Sequence, residues 1–221
     1  MSLFREIGLL LRKDFLLEYR RRSALSGLLL YVVSTVWVVY LTFLGPPPGR
    51  PLWNALFWII LLFAAVNAVA KGFAQEPAGR TLYYYMLARP QAIILAKIIY
   101  NTLLMLGLTA VALLGYGLVL GLPVADVPLF VGTVALGAVG FAGTLTLVSA
   151  IAARAGNNPT LMAILGFPLM LPTLLLLLRV SKNALDGLDR AVSTDELLTL
   201  LAIDAIQITL SYLLFPFLWR G

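Results

Sequence analysis

Asp204, Gln207 and Ser211 fall three and four residues apart in the apolar run LLAIDAIQITLSYLLF. At helical spacing they share one face. A carboxylate inside an apolar helix is costly to bury, so it is kept as a functional acid or as a hydrogen-bond partner for another helix. Asn67 and Asn101, in other apolar runs, are residues that could make that bond. The alternative is a position about two turns from the helix end, where water or Arg179 reaches the acid. A second group with chemistry lies in FAQEPAGRTLYYYMLARP, residues 73–90. Glu76 and Arg80 are four apart and could pair along a helix or meet charges on a partner. Pro77 can begin a helix and Pro90 must end one. Between them, Gly79 to Arg89 could make about three turns, roughly 17 Å long. Leu82, Tyr85, Met86 and Arg89 would then share a face. Such a helix fits a partner's socket, while its tyrosines equally suit an aromatic belt at headgroup depth.

Much chemistry is excluded outright. The chain has neither histidine nor cysteine. Histidine-dependent triads, His or Cys zinc sites, iron–sulfur clusters and disulfides are therefore impossible within it. No catalytic residue, metal ligand set or intrinsic cofactor is expected. No G-x-x-x-x-G-K-[ST] occurs, so ATP phosphates cannot be held by a P-loop here. Any ATP-driven work needs a partner to bind the nucleotide.

The elements around these residues are apolar. Of 221 residues 61% are hydrophobic and only 12% are charged, about half the share of an ordinary soluble domain. Mean hydropathy is +0.96. The expected fold is all-α and polytopic, one transmembrane permease domain over 1–221. Its first part, 1–24, reads as an amphipathic interfacial helix with Phe4, Ile7, Leu10, Leu11 and Phe15 on the apolar side. Six spans follow, at about 25–44, 52–70, 92–120, 127–153, 159–180 and 197–219, each near or above the ~20 residues that cross a bilayer. Asn157-Asn158-Pro159 opens the fifth, and Ser193-Thr194-Asp195-Glu196 has the form of a capping box opening the sixth. Ala138, Ala142, Thr146 and Ala150 recur every four residues in the fourth span, with Gly140 and Thr144 also four apart, a pattern for close helix packing. Lys97, one turn into the third span, is expected to snorkel to the headgroups. Twelve of the 16 Lys and Arg residues fall on the side of both termini and of residues 73–90. The positive-inside rule makes that side cytoplasmic. The net charge of +6 then reflects topology and membrane lipid, not nucleic acid.

This pattern resembles the membrane subunits of type 2 ABC exporters, and more narrowly the haem exporter protein B family (CcmB). The residues that carry the resemblance are Gln75-Glu76, Gly79-Arg80, Leu82-Tyr83-Tyr84-Tyr85, Pro90 to Lys97 and Asn157-Asn158. It covers essentially the whole chain. It implies a bacterial inner-membrane permease subunit of the cytochrome c maturation system, present twice in its complex. A CcmA-like ATPase would dock on 73–90, with CcmC-like and CcmD-like membrane proteins alongside. ATP hydrolysis would be linked to haem export or to release of the haem-loaded chaperone, a CcmE-like protein. Haem would be cargo, and ATP would be bound by the partner. Glu76, Gly79, Arg80, Leu82, Tyr83, Tyr85, Met86 and Arg89 would form the coupling helix. The same architecture could serve another hydrophobic cargo, such as a lipid or drug, and a passive scaffold is the remaining alternative.

Overall fold

The computed structural model describes residues 3–20, 23–43, 48–69, 88–155 and 159–220. Its elements are α1 (Leu3–Arg20), α2 (Ser23–Thr42), α3 (Arg50–Val69), α4 (Pro90–Leu120), α5 (Val127–Arg154), α6 (Pro159–Asp186), a 3-10 turn (Arg190–Ser193) and α7 (Thr194–Arg220). Among the described residues there is no strand. Helices α3 to α7 are long and apolar enough to cross a membrane. The remaining expected span, 25–44, falls on α2, whose described apolar part, Ser26–Thr42, is shorter.

Helix α5 is the axis of the bundle, packed by α3, α4, α6 and α7. Its small side chains are the reason. Ala138, Ala142, Thr146 and Ala150 are all buried, so the four-residue stripe serves packing within the chain. A Cβ on Gly137 would sit 2.7 Å from the Trp58 ring, and one on Gly140 would sit 2.5 Å from Asp204 Oδ1. Neighbouring helices approach there because no side chain intervenes. In an apolar solvent that close van der Waals contact drives helix association.

The core is aromatic at one end. Trp53 lies 4.9 Å from Tyr116 and 5.6 Å from Phe57, ring centre to ring centre, and Phe57 lies 5.7 Å from Phe130. The polar edges of these rings are satisfied. Trp53 Nε1 donates to the Gly121 carbonyl at 3.1 Å, Trp58 Nε1 to Ser181 Oγ at 2.9 Å, and the Tyr116 hydroxyl to the Trp53 carbonyl at 3.2 Å. Asn54 joins α3 to α6 by donating to the Leu178 carbonyl and accepting from Ser181. Buried polar groups in such a core need these partners, since an unmade bond costs roughly 1–3 kcal/mol.

Helix ends depart from the sequence expectations in two places. α6 runs on to Asp186, beyond the expected end of its span near Val180. It stops at Gly187, whose φ of 71° suits glycine. The Leu188 amide donates back to the Asn183 carbonyl at 3.1 Å, the six-to-one bond of a Schellman end. At the start of α7, the Ser193 hydroxyl accepts from Asn183 Nδ2 at 3.0 Å. α7 begins at Thr194, directly after the 3-10 turn, ahead of the expected start of its span near 197, and Glu196 Oε2 is buried without a hydrogen-bond partner among the described residues.

The α4–α5 connection is clamped on the same end. Asp126 caps α5 through the Leu129 amide at 3.1 Å and forms a two-pronged pair with Arg190 at 2.6 and 2.9 Å. Those bonds hold the Asp126 carboxyl below its usual range, the Arg190 contact foremost.

Candidate functional site

The 73–90 segment meets the described structure at Ala88 and Arg89. Its residues Glu76, Gly79, Arg80, Leu82, Tyr83, Tyr85 and Met86 lie outside the described residues. Arg89 has an extended backbone, φ −69° and ψ 139°, and stands as N-cap of α4 with Pro90 at the first helical position. Proline disfavours helix at the residue before it. Arg89 is therefore not helical, and the rest of the helix expected from Gly79 lies outside the described residues.

Arg89 is instead anchored to α1. Its amide donates to Glu6 Oε2 at 3.3 Å, and its Nε lies 3.8 Å from Glu6 Oε1. Eight residues further along both helices, Lys97 Nζ lies 3.6 Å from Asp14 Oδ2. Eight helical residues rise about 12 Å, so the two pairs are rungs between helices running in the same direction. Between the rungs, Ile7 packs on Ala92 and Ala96, whose small side chains let α1 come close. Beyond them, Phe15 meets Tyr100 edge to face at 5.3 Å.

This arrangement corrects two expectations. Lys97 does not snorkel outward: its side chain is 9% exposed and faces Asp14, which is 6% exposed and also lies 3.0 Å from Lys13. Nor does the apolar side of α1 wholly face lipid. Ile7 is buried against the protein with the acids Glu6 and Asp14, while Phe4 and Phe15 are exposed. Sequence reasoning missed Glu6 and Asp14. The signal was present as acids eight apart opposite cations eight apart, but it requires knowing that α1 pairs with α4.

The second group does assemble, between α5, α6 and α7. Gln207 Oε1 accepts from the Thr144 hydroxyl at 2.7 Å, and Ser211 Oγ bonds the Gln207 carbonyl at 2.7 Å. Asp204 is 5% exposed and sits against Gly140. Neither of its oxygens has a hydrogen-bond partner among the described residues, nor has Thr173 Oγ1, which belongs to the same junction around Gly140. Arg179 makes no ion pair with it among the described residues, and its expected partners are engaged elsewhere. Asn101 Nδ2 donates to Thr146 Oγ1 at 2.8 Å, and Asn67 Nδ2 to the Phe63 carbonyl at 2.9 Å. Among the described residues no group of three or more Asp, Glu, His or Cys could hold a metal.

A family model described as CcmB protein matches residues 5–217. No curated protein matches the chain. The chain belongs to the CcmB family. With its long apolar helices, it is a multi-pass membrane protein and a transporter component associated with haem export in cytochrome c maturation.

Proposed function

We propose that this CcmB-family chain is the permease subunit of an ATP-driven complex, and that residues 73–90 are the handle by which a CcmA-like ATPase moves it. The supporting observation is the double ion-pair ladder that begins at Arg89. It ties the end of that segment to α1 and to the first turns of α4 at once. A displacement of the segment then moves two helices as one body, and α4 passes it to α5. In this reading α2 supplies the sixth span, both termini are cytoplasmic in a bacterial inner membrane, and the fold is that of type 2 ABC exporters. The chain acts as a homodimer beside CcmC-like and CcmD-like proteins. ATP hydrolysis in the partner drives haem export or releases the haem-loaded CcmE-like chaperone.

The test is copurification of the native complex with haem quantified, with and without the ATPase. The ATPase is expected to copurify, and Tyr85→Arg or Gly79→Pro is expected to release it and stop cytochrome c maturation. If no ATPase is retained and both variants mature cytochrome c normally, the chain is a passive scaffold. Normal haem delivery to the outer chaperone with ATP hydrolysis blocked would leave release, not export, as the driven step. A different hydrophobic cargo would show as normal cytochrome c in a strain lacking this chain.

A further inference from the structure

An open groove of about 690 Å³ lies where α1, α2 and α4 meet. Helix α1 lines it with Arg12, Phe15, Leu16 and Tyr19, which share one face at spacings of three, four and seven. Leu29 of α2 and Leu103, Gly107 and Val111 of α4 form the deeper wall. The walls are apolar and the charged groups stand at the α1 end. Glu18, at that end, faces the Tyr100 hydroxyl. Arg12 is exposed at the mouth and has no counter-ion among the described residues.

Three features select the occupant. From Tyr100 to Val111 the groove follows eleven residues of α4, about 17 Å of rise, close to one leaflet of a ~30 Å hydrocarbon core. Two of its walls are apolar helices of a multi-pass membrane protein, so acyl chains are the surrounding medium. Its single cation without a partner complements a phosphate, a charge-assisted contact that arginine makes well. At the deep end, a Cβ on Gly107 would meet no atom within 4 Å, so the space beside it is open.

We propose that this groove binds one glycerophospholipid, its phosphate on Arg12 and one acyl chain lying past Gly107. The lipid fills the notch between α1 and the two helices it leans on. It completes the seat of α1 where the protein alone leaves it open.

The experiment is native mass spectrometry of the full chain released from mild detergent, with palmitoyl-oleoyl phosphatidylglycerol added as the probe. Diacylglycerol with the same chains serves as the headgroup-free control. The wild type is expected to retain one phosphatidylglycerol per chain and to prefer it to the diacylglycerol. Arg12→Gln is expected to weaken retention about tenfold, the scale of one charge-assisted hydrogen bond, and to abolish that preference. Gly107→Phe fills the groove from its deep end and is expected to remove both lipids while the chain stays folded. Leu210→Phe, on an exposed face of α7 outside the groove, is expected to change nothing. Unaltered phosphatidylglycerol retention in Gly107→Phe overturns the proposal. A shift from dimer to monomer in Gly107→Phe, with lipid retained, would make the groove a contact between copies and likewise overturn it.

Discussion

At the scale of single residues, burial decides which charges matter. Asp14 and Lys97 are both nearly sealed from solvent, and Asp14 keeps Lys13 at 3.0 Å when Lys97 is removed. Lys97→Met is therefore expected to destabilise by less than the roughly 3–5 kcal/mol of an uncompensated buried charge, and the further change Lys13→Met to raise the loss toward that figure. Thermal unfolding in detergent measures both. Asp204 behaves oppositely, because its oxygens have no partner among the described residues. Asp204→Ala is expected to leave stability equal or raised, so a loss of cytochrome c maturation in that variant would mark a working acid. Gly140→Ala pushes a methyl to within 2.5 Å of the same carboxylate. It is expected to cost about 1–3 kcal/mol by overpacking, and less when Asp204 is also alanine. The Asp204, Gln207 and Ser211 face was legible from spacing alone. Gly140, which it faces, was legible only as one of several small residues, since nothing in a sequence states which helix a stripe meets.

At the scale of elements, the α4–α5 connection is held to the end of α6 by Asp126. Its carboxyl titrates below the usual range in the folded chain because Arg190 and the Leu129 amide favour the charged form. The stability it contributes is present above the unfolded carboxylate value, about 4, and is lost as pH falls through the lower folded value. Unfolding midpoints measured from pH 7 downward are expected to drop less steeply in Asp126→Asn. At the neighbouring turn, Gly187→Ala places a side chain at positive φ and 3.0 Å from the Ala125 Cβ. A loss of at least ~1 kcal/mol is expected. Five of the expected spans were legible because apolar runs and prolines punctuate them. The overrun of α6 to Asp186 was not, because SKNALD is polar enough to leave a bilayer yet remains a good helix.

At the scale of the whole molecule, α1 is a strut packed along α4. It lies parallel to the first turns of α4, with rungs at Glu6–Arg89 and Asp14–Lys97. The chain has no native cysteine, so Glu6→Cys with Arg89→Cys can be joined specifically by a short thiol crosslinker. If α1 and α4 move as one body, the crosslinked protein is expected to keep its activity in cytochrome c maturation. Loss of activity on crosslinking, restored by cleaving the linker, would show that α1 must part from α4 during the cycle.

Composition and hydropathy by themselves determined an all-helical membrane protein that has neither histidine nor cysteine and no P-loop motif. They also marked 73–90 and the Asp204 face as the places where polar chemistry sits. Those properties follow from residue type and helical period, which are local. Only the tertiary structure decided that Lys97 faces Asp14 and not lipid, that Arg89 is moored to Glu6, and that Gly140 makes room for Asp204. Each of these depends on which helices are neighbours. A helical sequence states which face is apolar, but the choice of neighbour is made by close fit between surfaces far apart in the chain.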